Sequence, residues 1–214
     1  MSAMDEQIFA MLYDAEKVEM AEGEELSESL PIENTIEIID ITQPLVLVEG
    51  ERMPFGRKEL LDGKLSMILP KSFQVMNPQE VAIKYPSEHR PSLIYTNETG
   101  SINLTFNGLD HPLTDEGLAD LTEEMSHMLR FNLPIREWKG SGVRENARGE
   151  RMGYAMYISS GLNANLYNEM GFAILEGKTL LCSFNCTEHE MKTWAPLFQS
   201  MMDSLQVNQG GKDT

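Results

Sequence analysis

Cysteine is nearly missing from this chain: 214 residues contain two, Cys182 and Cys186. Both lie in LLCSFNC, a stretch that predicts a strand, where residues four apart share one face about 13 Å apart. A disulfide needs Cα atoms within about 7 Å, so these two cannot cross-link while the strand stands. With Leu180 and Phe184 they form one apolar face, which predicts buried, inert thiols. Long hydrophobic runs are missing too, and nothing approaches the roughly 18–20 consecutive apolar residues of a membrane helix. The opening MSAMDEQ is acidic where a secretory leader would be basic, and no apolar core follows it. The cytoplasm is therefore the expected compartment. No phosphate loop, GxGxxG or nucleophile elbow occurs, and KGSGV at 139–143 predicts only a Gly-rich turn.

Basic side chains are scarce. Seventeen Lys and Arg face 34 Asp and Glu, for a net charge of −17. Residues 1–50 hold thirteen acids against Lys17 alone. A field of this sign repels phosphate backbones, which excludes nucleic acid and anionic membranes as partners and favours a basic protein surface. Acidic side chains serve solubility equally well. An apolar content of 41% is enough for one core, so global disorder is excluded.

Along the chain, Ile8, Met11, Leu12, Ala15 and Val18 recur at helical spacing between Asp5 and Met20. So short a helix is marginal alone, which predicts docking on its own domain or on a second copy. AEGEELSES is an acidic linker, and short strands are expected at 35–41 and 44–48. Asp62-Gly63 predicts a two-residue hairpin turn before a strand with Leu65, Met67 and Leu69 on one face. A short helix is expected over 78–84 and a strand over 92–96. In the next strand Ile102, Leu104 and Phe106 alternate with Ser101, Asn103, Thr105 and Asn107, the pattern of a half-buried antiparallel strand. Thr114 opens a helix with a stripe of Leu118, Leu121, Met125 and Met128. Four strands follow, from Ile135, Arg151, Asn165 and Thr179, the third of them apolar on both faces and therefore central. Thr187-x-x-Glu190 is a capping box before a last helix striped by Met191, Trp194, Phe198, Met201 or Met202, and Leu205. These elements predict an α+β fold, a curved antiparallel sheet with helices on both faces. The division expected is an acidic arm at 1–56, one domain at 57–207 and a disordered tail at 208–214.

Chemistry-bearing residues do not converge. A metal would have to draw on Cys182, Cys186, His189 and Glu190, but the thiols belong to the core and Glu190 to the helix cap, so no metal is expected. His89, His111 and His127 are scattered, and no Ser or Cys is paired with a base, so no catalytic set and no cofactor are expected. Carboxylate pairs such as Glu123-Glu124 predict solvated faces. The fifteen methionines fall on stripes that packing already requires. One segment stands out, KYPSEHRPSLIYTNETG at 84–100. Tyr85, His89, Arg90 and Tyr95 gather there between Pro86 and Pro91, which fix the backbone. Tyr and Arg are frequent at binding hot spots, so these four are the candidate protein-binding residues. Tyr95 shares a strand face with Leu93 and has a place in the core as its alternative.

The opening strand KLSMILPKSF, the stretch KYPSEHRPSLIYTNETGSINLTFN, and the helix, long hairpins and final helix after them resemble the PsbP/Mog-like family, including DcrB-related bacterial proteins of unknown function. The resemblance spans residues 57–207 and is strongest over 64–107. It implies an α/β/α sandwich around an antiparallel sheet and a mostly non-enzymatic family, in which the Mog branch binds the GTPase Ran and PsbP docks on a photosystem. It assigns no site residue by position. The function expected is a non-catalytic protein-binding or accessory module of the cytoplasm, with a homodimer through the N-terminal arm left open. The alternatives are an enzyme with an unrecognised polar site and a small-ligand carrier with a Met-rich interior.

Overall fold

The computed structural model describes residues 39–87, 90–146, 148–161 and 163–208. The expected helix at 5–20, the acidic linker, most of the strand expected at 35–41 and His89 lie outside them. The described chain runs β1 (Val46–Val48), β2 (Glu51–Met53), β3 (Phe55–Leu60), β4 (Leu65–Pro70), β5 (Gln74–Val75), α1 (Pro78–Lys84), β6 (Leu93–Thr96), β7 (Asn103–Pro112), α2 (Leu118–Asn132), β8 (Ile135–Glu145), β9 (Arg151–Ser160), β10 (Asn165–Leu175), β11 (Lys178–Thr187), α3 (Met191–Asp203) and β12 (Gln206–Val207).

The main sheet has seven strands in the order β5-β6-β7-β11-β10-β9-β8, and every adjacent pair is antiparallel. β9, β10 and β11 are long and joined by hairpins. The tightest, between β10 and β11, turns at Glu176 (φ 54°) and Gly177 (φ 77°), the left-handed pair that a two-residue hairpin requires. β1 and β2 form a separate hairpin, and β12, β4 and β3 a small sheet. The architecture is the expected α+β sandwich.

Each face of the main sheet carries its own helix, seated on a glycine. Gly153 of β9 faces α2: a Cβ there would run into Thr122 Oγ1 and lie 3.1 Å from the Phe172 ring. Gly171 of β10 faces α3, and a Cβ there would meet the methyl end of Met202 at 2.6 Å. On the α2 side Leu118, Met125 and Leu129 close over Ala155, Met170, Phe172 and Leu181. On the α3 side Trp194, Phe198, Met201 and Met202 pack with Phe106, Cys182, Phe184 and the small-sheet residues Leu65, Met67 and Leu69. Phe184 and Phe198 stack with ring centroids 4.7 Å apart.

Four expectations are corrected here. The core reaches before residue 57, since Ile41, Val46, Val48 and Phe55 join the α3-side cluster and the expected boundary cuts β3. The hairpin at Asp62-Gly63 has a four-residue loop, with Leu61, Asp62 and Gly63 all at positive φ. Asn208, placed in the tail, is tied to the small-sheet turn: its N–H donates to Lys64 O at 2.8 Å and its amide to Gly63 O at 2.7 Å. On α2 the buried face includes Thr122 and Ser126, whose hydroxyls donate to the carbonyls of Leu118 and Thr122, both at 2.7 Å. Back-bonding of this kind lets a hydroxyl enter a core without an orphaned donor.

The two glycine contacts are not equivalent. Met202 can swing its methyl aside, whereas Thr122 is held by its bond to Leu118. Gly153→Ala is expected to cost about 1–3 kcal/mol by overpacking, and Gly171→Ala less. Pairing Gly153→Ala with Thr122→Ala should recover part of the loss, read as non-additivity in urea unfolding midpoints.

Candidate protein-binding surface

Segment 84–96 runs from the end of α1 into β6, and the fold divides its residues. Tyr85 is the C-cap of α1, its N–H bonded to Val81 O at 2.7 Å. Its ring is 2% exposed and packs with Met76, Ile94 and Val81 beneath the short helix. That corrects the expectation of an exposed Tyr85: a seven-residue helix has too little apolar surface of its own, and the tyrosine supplies it. Tyr95 takes its alternative place, buried in the α3-side core with the Lys58 ammonium 5.0 Å from its ring centre. Arg90 is exposed and Pro91 buried. Of the four candidates, the described structure places Arg90 alone at the surface, and His89 lies outside the described residues.

The surface of this edge comes from positions the sequence did not single out. Val75 is 56% exposed on β5, and Ile83 is 76% exposed on α1. The signal was present in VAIK. Val81 and Ile83 are two residues apart on a helix, so they cannot share a face, and once Val81 packs inward Ile83 must point out. β5 is two residues long, so the sheet stops here on a brief edge flanked by exposed apolar side chains. The opposite edge, β8, is long but blunted by two register irregularities and by Arg136, Glu137, Lys139, Arg144 and Glu145.

Polar groups inside the sheet bond to one another. On the α2 face one row crosses five strands, Thr96, Asn103, Asn185, Asn168 and Tyr157, each paired in register with the next. Thr96 Oγ1 donates to Asn103 Oδ1 at 2.9 Å, and Asn103 Nδ2 donates to Asn185 Oδ1 at 2.9 Å. One row along, the Thr105 and Ser183 hydroxyls bond at 2.8 Å. Asn168 Nδ2 donates to Ser159 Oγ at 2.9 Å, and Ser92 Oγ to Asn107 Oδ1 at 2.6 Å. The first five residues of β7, expected half-buried, are therefore buried on both faces, with Asn103, Thr105 and Asn107 at 7%, 0% and 6% exposure. Among the described residues no buried side-chain nitrogen or oxygen lacks a partner.

The two thiols are closed in the same way. Cys182 and Cys186 are fully buried free thiols, and burial pushes both well above the usual thiol range. Thr187 does not cap α3 as expected: the N-cap is Glu190, with no side-chain cap bond, and its carboxylate instead accepts from the Thr187 N–H at 3.0 Å and the Ser101 hydroxyl at 2.7 Å. The described histidines, His111, His127 and His189, are exposed. Among the described residues no three His, Cys, Asp or Glu side chains are placed to hold a metal. Glu169 is the unusual member, a carboxyl 2% exposed on β10 facing α3. Burial raises its pKa from 4.5 to about 7, against the lowering effect of the Tyr167 hydroxyl (2.8 Å) and Arg144. Arg144 itself is paired with Asp203 of α3.

No protein-family model matches the chain, and no curated protein matches it. Among solved structures, cyanobacterial PsbP (CyanoP) from Synechocystis is similar at 16% identity and a TM-score of 0.52, over 72% of this chain and 92% of that one. The fold is PsbP-like. LpqN of Mycobacterium tuberculosis, described as involved in cell envelope biogenesis, is similar at 10% identity and a TM-score of 0.40, over 76% of this chain and 95% of LpqN. At 16% identity the likeness to CyanoP shows the fold alone. No helix among the described residues is long and apolar enough to cross a membrane.

The Glu169 environment makes a signed prediction. Its folded pKa lies above its unfolded value, so the folded state holds the proton more tightly. The stability this confers is full below about pH 4.5 and is lost as pH rises to about 7. Glu169→Gln is expected to flatten that fall and to exceed the parent by up to about 3 kcal/mol at pH 8. Chemical denaturation at pH 4, 6 and 8 checks it, and equal pH slopes would remove the buried acid from the account.

Proposed function

We propose that this chain is a non-catalytic protein-binding module of the cytoplasm, and that its contact surface is the β5–α1 edge, with Val75 and Ile83 as apolar anchors and Arg90 beside them. The observation that carries this reading is two large apolar side chains exposed at 56% and 76% where the sheet ends in a two-residue strand. Exposed apolar side chains grouped on an edge are a feature of association sites. The polar groups that an enzyme or a small-ligand carrier would use are bonded to one another inside the sheet, which supports a surface role. The net charge of −17 favours a partner with basic residues around its apolar contact, bound less tightly as salt rises.

The test is a photo-cross-linking amino acid at position 83, with Glu123 on the solvated face of α2 as the control. A discrete adduct from 83 and none from 123 is the expected result. Ile83→Asp should weaken the captured partner by roughly 30-fold, the scale of a hot-spot loss, with the melting temperature unmoved because Ile83 is outside the core. Equal adducts from both positions, or an unchanged affinity, would place the surface elsewhere.

A further inference from the structure

Three guanidinium groups converge on the C-terminal end of α3. Arg57 Nη1 donates to Ser204 O at 3.1 Å and to Ser66 Oγ at 3.1 Å. Arg148 donates to Leu205 O, and Arg144 pairs with Asp203. A helix C-terminus carries partial negative charge and unpaired carbonyls, which accounts for one cation. Three exceed that need in a chain with twice as many acids as bases. Arg148 and Arg144 each also meet a carboxylate, Glu150 and Asp203. Arg57 is exposed and has no carboxylate partner among the described residues. After burial, the charge of Arg148 is what lowers its hold on its proton, so the two cations lie within each other's field.

The chain enters the described domain beside this cluster. The Ile39 N–H donates to Ser200 Oγ at 3.1 Å, and Ser200 lies one helical turn, about 6 Å, before Ser204. Between Glu22 and Glu37 the sequence has six glutamates and no basic residue. Glu37 and Glu33 precede Ile39 by roughly 7 and 20 Å of extended chain, so both can reach the end of α3.

We propose that the acidic segment Glu22–Glu37 docks in cis on the cluster of Arg57 and Arg148 at the C-terminal end of α3, with Glu33 and Glu37 supplying the carboxylates. Chain connectivity holds the glutamates at high local concentration, so individually weak surface pairs act together. A guanidinium offers five N–H donors, and both bonds that Arg57 makes to described residues come from one nitrogen.

The experiment uses the full chain, ¹⁵N-labelled, with a nitroxide on Ser29→Cys. The two native thiols are buried and leave the introduced one to react. Broadening is expected at the amides of Arg57, Ser66, Arg148 and Ser204. It should fall by roughly threefold or more as the screening length shrinks from about 14 Å at 0.05 M salt to about 4 Å at 0.5 M. Glu33→Lys with Glu37→Lys should abolish it without touching the capping arginines. Broadening centred elsewhere, or surviving the charge reversal, overturns the proposal. So does broadening that appears only when spin-labelled and ¹⁵N-labelled chains are mixed, since the occupant would then be a second copy.

Discussion

Burial of the inner strands of the seven-stranded sheet on both faces is the constraint from which the rest of this structure follows. An antiparallel sheet with one wet face can leave its polar side chains to water, but this one cannot. α1 and α2 lie on one face, and α3 with the small sheet on the other. Any hydroxyl or amide between them must find a protein partner or cost about 1–3 kcal/mol. The outcome is the row from Thr96 through Asn103 to Asn185, and the Thr105–Ser183 pair beside it. The glycines at 153 and 171 belong to the same constraint, because a helix can lie close on a pleated surface only where side chains are withheld.

The buried thiols, the amides and hydroxyls of the sheet and the Glu169 carboxyl are held inside by packing or by each other. At the surface of the described residues, large apolar side chains stand exposed on the β5–α1 edge, at Leu45 and Leu47 and at Phe131 of α2, and arginines gather at the end of α3. The acidic N-terminal residues make the arginine cluster more telling than its size suggests. Three arginines gather there in a chain this negative, and Arg57 among them has no carboxylate partner among the described residues.

Much of the fold was legible in the sequence. Hairpin strands from Ile135 to Cys186, the helix at 78–84 and the α3 stripe all express periodicity or local hydrogen bonding, which neighbouring residues determine. What escaped depended on layers distant in sequence. Asn103, Thr105 and Asn107 look solvent-facing because alternation cannot tell water from a second layer carrying its own polar groups. Tyr85 looked like a surface aromatic because nothing local shows that α1 is short of apolar area. The loop at 61–64 departed from the two-residue turn that Asp-Gly favours because the Leu60–Leu65 register leaves four residues to close it. Of the candidate residues at 84–96, Tyr85 and Tyr95 lie in the core and Arg90 at the surface. Burial drew the tyrosines inward and left Val75 and Ile83 outside.

The claim that the interior polar groups serve one another is tested most directly by the Thr105–Ser183 pair, 0% and 3% exposed. Thr105→Val and Ser183→Ala each orphan a buried hydroxyl, whereas the double variant removes both. A double-mutant cycle in urea should show each single variant losing about 1 kcal/mol or more and the double losing clearly less than their sum. Additive losses would mean that the two hydroxyls do not depend on each other, and the closed polar sheet would have to be abandoned.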